Sequence, residues 1–198
     1  MSRMNKAIMI LKMQGYWAIG SGKGGGDEVD NRIDRDSDGL PYVPGKMLKG
    51  LIKDACFRLQ HAGNENYKLI KDIFGSSEES KDLNRTATKK SSIYISDARL
   101  APSIRSVLLL EDYQSSKDNL TRNIYSTAIS EKTGTAEDKS LRGYEVAVPM
   151  ELQARIECEC SKDDFESIKK AASKFVYAVG SHKSRGLGEV VIEFRDED

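Results

Sequence analysis

Apolar and polar positions alternate most cleanly between Glu145 and Cys160. Every even position from Val146 to Cys160 is apolar, and the odd positions are mostly Glu, Gln or Arg. A period of two predicts one long, half-buried strand, with Pro149 marking an edge or a bulge. Ser161 stands where a helix cap is needed, with Asp164 three residues on. Phe165, Ile168, Ala172, Phe175 and Val176 then give the stripe of a helix that runs to near Gly180. The glycine-rich turn GSHKSRGLG leads into a closing strand over Glu189–Phe194.

The first half of the chain alternates less. Residues 5–19 are apolar on both faces in the middle, which predicts a central strand, with Gly15 as a bulge or a close approach. Residues 20–43 form a long polar connection, and connections of that length are usually functional or disordered. Pro44-Gly45 opens a helix to about Gln60, striped by Leu48, Leu51, Ile52, Ala55 and Leu59. Lys46, Lys49 and Lys53 fall mostly off that stripe. A short helix over Asn66–Phe74 ends at Gly75, and residues 76–90 are polar loop. Residues 91–100 predict a strand, and Ser106–Glu111 a brief strand or packed loop. Residues 113–143 hold few apolar anchors and predict a projecting hairpin. Strand, helix, strand, strand, helix, strand is the ferredoxin-like, RRM-type order of an α+β fold. The reading is one domain over 1–198, with insertions at 20–43 and 113–143.

Charge narrows the function. The 31 basic and 31 acidic side chains cancel, so no global basic field draws in nucleic acid, and any such surface is local. No apolar run approaches the ~18 residues of a membrane span. No signal peptide is expected. Three cysteines without framework spacing suit a reducing cytoplasm.

The stretch from Gly20 to Leu51 concentrates the candidate chemistry. A glycine run precedes five aspartates and a glutamate in the twelve residues 27–38, and the basic helix start follows. Gly20-Ser21-Gly22-Lys23-Gly24-Gly25 fits G-x-G-x-x-G, but no helix pattern follows to receive a pyrophosphate. Asp34, Asp36, Asp38 and Gly39 fit the first half of a calcium loop, yet its twelfth position is Gly45 rather than a glutamate. Solvated turn carboxylates are the alternative. No Cys/His set has zinc spacing. Cys158 and Cys160 share one strand face and read as core, as does Cys56 on its helix, while His61 reads as solvated. GSHKSRGLG offers bare backbone N–H groups with His182, Lys183, Ser184, Arg185 and Gly186, a composition that suits a polyanion. An ordinary glycine turn is the alternative.

Several stretches taken together resemble one family. GLPYVPGKMLKGLIKDA (Gly39–Ala55) resembles the P-x-x-P-G signature of the CRISPR-associated RAMP superfamily, and SHKSRGLGEV (Ser181–Val190) resembles its C-terminal glycine-rich loop. SDARL (Ser96–Leu100) and KTGTAEDKSLRGYEVAV (Lys132–Val148) resemble segments of the backbone subunit of type III CRISPR effector complexes. The resemblance implies an RRM-like palm, a lid at 20–43 and a thumb-like hairpin at 113–143. It implies assembly along CRISPR guide RNA with copies of itself or related subunits and with the large type III subunit. In cleaving members a lid aspartate cuts target RNA once per subunit with a divalent metal, here Mg²⁺ held loosely. Val29-Asp30-Asn31 matches that place, so Asp30 is the implied catalytic residue, with Asp27, Asp34 and Asp36 as alternates. The implied RNA contacts are Lys46, Lys49, Lys53, Thr135, Arg142, His182, Lys183, Ser184, Arg185 and Gly186. Lys46 and Met47 stand where the family has small hydroxyl residues, and Arg32 stands where proline is common.

RNA cleavage needs the 2′-hydroxyl in line with its own phosphate, a proton acceptor, and charge relief on the phosphoryl oxygens. A lone loop carboxylate can orient the 2′-hydroxyl or hold a hydrated cation, but it makes no cage. Base pairing supplies the specificity in RNA-guided systems. Two other readings remain open at this stage: a non-catalytic structural subunit of the same kind of complex, and a guide-processing nuclease.

Overall fold

The computed structural model describes residues 3–20, 31–61, 72–75, 90–137 and 140–196. In chain order its elements are β1 (Arg3–Met13), α1 (Gly45–His61), β2 (Ile93–Ile95), α2 (Pro102–Leu108), α3 (Gln114–Asp118), β3 (Thr121–Ser126), β4 (Arg142–Ala147), β5 (Glu151–Cys160), α4 (Lys162–Phe175) and β6 (Val190–Asp196). The glycine run 21–26, Asp27, Asp30, the start of the helix expected at Asn66 and the loop 76–89 lie outside the described residues.

Alternation builds the main sheet. β1 buries Ala7, Met9, Leu11 and Met13, and β5 buries Leu152, Ala154, Ile156, Cys158 and Cys160. The two pair antiparallel from Arg3↔Cys160 to Lys12↔Glu151, a register that puts both apolar sets on one face. The four strands run in the order β2-β5-β1-β6, every neighbour antiparallel. β1 and β2, joined through α1, are therefore parallel with β5 between them. α4 joins β5 to β6 across β1 in the same way. Leu48, Ile52 and Ala55 of α1 and Phe165, Ile168, Ala171 and Ala172 of α4 belong to the same buried cluster as the apolar strand face. Ser161 caps α4, its Oγ accepting from the Asp164 N–H at 3.1 Å.

The other face of the sheet sets balanced charges around Ile8, Ile10 and Val191. Lys6, Lys12, Arg155 and Arg195 stand there with Glu151, Glu157, Glu159 and Glu193. Lys12 Nζ lies 2.7 Å from Glu193 and Lys6 Nζ 3.7 Å from Glu157. Exposed Tyr94, on edge strand β2, is its aromatic residue among the described strands.

Four expectations change. The long strand from Glu145 to Cys160 is two strands, because Pro149 has no N–H to continue a ladder. Residues before the break pair with β3 in a separate two-stranded sheet, and residues after it pair with β1. Gly15 has open space where a side chain would stand, so it marks a bend after β1 rather than a close approach. The apolar run near Ser106 is helix α2, started by Pro102 and ending in a 3-10 turn at Glu111–Tyr113. Residues 31–43, read as part of a long polar connection, are packed: Ile33, Leu40 and Val43 are buried, and bridges tie Gly20 to Ile33, Arg35 to Pro41 and Val43 to Ala98.

The β3–β4 sheet is attached at three points. Trp17 exchanges two backbone hydrogen bonds with Ala147, at 3.1 and 2.7 Å, and its indole N–H donates to the Val148 carbonyl at 3.0 Å. The Glu145 N–H donates to the Asn31 carbonyl at 3.0 Å. Arg35 grips the Glu145 carboxylate with both terminal nitrogens, at 3.0 and 2.5 Å. Burial raises the Glu145 carboxyl, but Arg35 and the Ile33 N–H outweigh it and hold the group below the usual range.

Candidate nucleic-acid interface

The closing turn is fixed from both ends. The Ser181 N–H donates to the Ala18 carbonyl at 2.7 Å and the Gly188 N–H to the Tyr16 carbonyl at 2.8 Å. Gly180 and Gly188 have φ of 91° and 80°, and a Cβ on either would overlap a backbone carbonyl, that of Ala18 or of Val179. Glycine is thus required twice where the turn lies against the body. Between them His182 is left-handed, with φ 58°, and Lys183–Arg185 form one 3-10 turn whose side chains face outward.

This turn and Asn31 meet the β3–β4 sheet at the same residue, Tyr144. The His182 ring stacks on Tyr144 of β4, with centroids 4.9 Å apart and planes 19° from parallel. Asn31 forms a parallel bridge with Tyr144 from the other edge of β4. A cleft of about 730 Å³ opens beside the stack, lined by Ser126, Thr127, Glu137, Arg142, Tyr144 and Arg185 among others. Tyr144 is the member that sequence reasoning missed. Its signal lay in the β4 alternation, where Arg142 and Tyr144 share a face. Thr135 sits in the hairpin tip beside Gly134, whose φ is 68°, and accepts the Ser130 N–H at 2.9 Å.

The lysines expected on α1 separate. Lys46 is exposed. Lys49 turns inward, donating to Ser91 Oγ at 2.6 Å and the Ile93 carbonyl at 3.2 Å. Burial, and then the charge of Lys53, push its ammonium below the usual range. Lys49 therefore ties α1 to the start of β2, and Lys53 is half-buried beside it. The first turn of α1 is also occupied: the Gly45 N–H donates to Asp97 Oδ1 at 2.9 Å. A Cβ at Gly45 would overlap the Ile95 and Ser96 backbone, the physical reason for glycine after Pro44.

The described carboxylates of the acidic stretch hold the fold. Asp34 accepts from the Tyr42 hydroxyl at 3.0 Å. Asp36, with its side chain 1% exposed, accepts from the N–H groups of Asp38 and Leu40 and pairs with Arg105 at 2.5 Å. Arg105 also pairs with Asp38. Burial alone would raise the Asp36 carboxyl, but Arg105 and the two N–H groups outweigh it, and the net shift is downward. The half calcium loop is thus a turn satisfied by arginine and backbone. Among the described residues no three His, Cys, Asp or Glu side chains cluster to hold a metal. The three cysteines are free and buried, and burial pushes the Cys56 thiol up to about 12, which leaves it inert.

The RAMP superfamily model matches residues 11–191. The chain belongs to the RAMP superfamily. This RAMP chain also has the fold of subunits in two solved assemblies. One is a cryo-EM structure of the Type III-B Cmr-beta bound to cognate target RNA, with TM-score 0.66, 12% identity, and 96% of each chain covered. The other is the apo state of Type III-B Cmr-beta, with TM-score 0.65, 11% identity, and 96% and 97% covered. No curated protein matches the sequence. Among the described residues of the RAMP chain no helix is long and apolar enough to cross a membrane.

Proposed function

We propose that this RAMP chain is a backbone subunit of a type III CRISPR ribonucleoprotein, that it binds guide RNA, and that it cuts complementary target RNA through Asp30. The observation that carries the reading is the meeting at Tyr144. One edge of β4 holds Asn31, the residue after Asp30, and the Tyr144 ring holds His182 of the closing turn. A strand in the cleft beside them would pass Arg142 and Arg185. The four-stranded sheet serves as the ferredoxin-like palm, the β3–β4 hairpin as the thumb and residues 20–43 as the lid.

RNA running over the open face of the sheet is disfavoured. RRM sheets stack bases on aromatic side chains, and here that face is a balanced lattice of acids and bases. Contacts to phosphate from Lys46, Lys183, Arg185 and Arg142 position a guide without reading its bases. The partners under this proposal are guide RNA, target RNA, further RAMP subunits and the large type III subunit, in a reducing cytoplasm. A loosely held divalent cation, such as Mg²⁺, belongs to this proposal, and of its candidate ligands Asp34 and Asp36 are already engaged. Asp36 is taken by Arg105 and Asp34 by Tyr42, and no step is assigned to a metal.

The purified chain is expected to carry a short RNA of defined, repeat-derived 5′ end. In the assembled complex, Asp30→Ala should bind complementary RNA normally and lose one cut position. Cutting that persists at that position removes Asp30 and leaves a structural subunit.

A further inference from the structure

Tyr177 stands out of a stretch that is otherwise buried. Its neighbours Val176, Ala178 and Val179 are at most 9% exposed, whereas Tyr177 is 65% exposed. The backbone is pinned on both sides. The Val176 N–H donates to the Ala172 carbonyl at the end of α4, and the Val190 N–H of β6 donates to the Tyr177 carbonyl at 3.0 Å. The side chain is oriented as well. Its hydroxyl interacts with the Arg58 guanidinium of α1, and Asp54, one turn earlier, holds that guanidinium at 2.8 Å.

A groove of about 80 Å³ opens beside the ring, lined by Tyr177, Arg58, Phe175 and Lys183 among others. That is far below the roughly 300 Å³ of an enclosed small-molecule site, so the place suits a flat group laid on the ring rather than a ligand swallowed whole. Asp54 already answers the charge of Arg58, which leaves Lys183 as the groove's uncompensated cation. Lys183 belongs to the same 3-10 turn as Arg185, which lines the cleft at Tyr144. The closing turn thus stands between two depressions and lends one cation to each. Among the described residues neither Lys183 nor Arg185 makes an ion pair.

From this placement we infer that Tyr177 is a binding residue, a platform on which a base of single-stranded RNA stacks where the strand crosses the closing turn, with Lys183 at its phosphate. The inference rests on the reading that the chain binds RNA in the Tyr144 cleft. Every base has a flat π face, so stacking holds a strand without reading its sequence, as the phosphate contacts do. The lysine at the edge of the ring and the arginine-lined cleft beyond the turn favour RNA over a protein partner.

The test measures binding of the full chain to labelled oligouridylate, oligoadenylate and an RNA duplex by fluorescence anisotropy across a salt series. Tyr177→Ala should weaken both single strands roughly tenfold, within the range for one base stacked on an aromatic ring, and keep the salt slope. Lys183→Ala should lower that slope by about 0.7. Tyr177→Phe keeps the ring and should bind like wild type. The duplex, whose bases are already stacked, should bind Tyr177→Ala and wild type alike. Irradiation of the wild-type chain with thiouridine-substituted RNA should give an adduct at Tyr177, a readout independent of how any variant folds. If Tyr177→Ala binds single strands like wild type, or if adducts form only elsewhere, the platform is overturned while the RNA reading stands. A loss shared by Tyr177→Phe or by the duplex also overturns it, because the ring is then not what the strand touches. If Tyr177→Ala keeps its RNA binding and loses self-association on gel filtration, the ring is a protein contact and the inference is wrong. If the wild-type chain binds none of these RNAs, the RNA reading itself falls, and the platform with it.

Discussion

Replacing Arg105 by alanine removes the cation from a carboxylate that has almost no access to water. Asp36 is 1% exposed, and Arg105 is the closer of the two guanidiniums beside it, at 2.5 Å against 3.8 Å for Arg99. Breaking a buried pair by deleting one member costs roughly 3–5 kcal/mol. Two N–H bonds, from Asp38 and Leu40, and the more distant Arg99 remain to the carboxylate, so the low end applies, about 3 kcal/mol. For a chain of this length that corresponds to a fall in Tm of roughly 6–12 °C. Asp36 has a lowered folded-state pKa, so the stability it contributes is present above the unfolded value. That stability is lost as pH falls through the folded value, and the cost of Arg105→Ala should shrink in the same window. Urea unfolding of wild type, Arg105→Ala, Asp36→Asn and the double variant at pH 7 gives the coupling directly, expected near ~2 kcal/mol. Repeating it below pH 4 tests the sign. A coupling near zero at pH 7, or a cost that stays constant into acid, would show that the pair does not anchor this turn.

The two kinds of positive-φ glycine should separate in thermal melts. Gly188→Ala meets the Val179 carbonyl and should destabilise by more than ~2 kcal/mol, whereas Gly39→Ala, with open space around it, should cost only about 1 kcal/mol. Ser161→Ala removes the cap of α4 and should cost about 1 kcal/mol in denaturant titrations. In guide-binding titrations against salt, Arg185→Ala should reduce the slope by about 0.7, while Lys49→Ala should leave the slope intact and lower stability instead. A changed slope for Lys49→Ala would return that lysine to the RNA surface.

Local patterns carry the four-stranded sheet and its two helices well and the connections poorly. β5, α1, α4 and β6 are near their predicted places, because each presents a continuous apolar face to one core and its cap or glycine signal lies within a turn of its end. The strand through Pro149 was misread because periodicity continues across the proline, while the hydrogen-bond ladder does not. α2 carries no core stripe to mark it, because its apolar residues are largely exposed: Ile104 is 48% and Val107 44% accessible. In the site, His182, Arg185 and Arg142 were legible as basic groups near glycine. Tyr144 was not, since its role depends on a stack with a residue 38 positions away. The inward turn of Lys49 was illegible for a similar reason, as its acceptors Ser91 and Ile93 lie more than forty residues away in sequence. Asp36 looked like a metal ligand only because its partner, Arg105, lies 69 residues on.

One of the attachments between the two sheets carries its own reporter. Trp17, 1% exposed, is the chain's sole tryptophan, and its indole hydrogen bond ends at the carbonyl just before Pro149. Intrinsic fluorescence on excitation of indole therefore watches that joint and nothing else. Rocking of the β3–β4 sheet against the four-stranded sheet would redden and dim this emission without any label, before global unfolding begins.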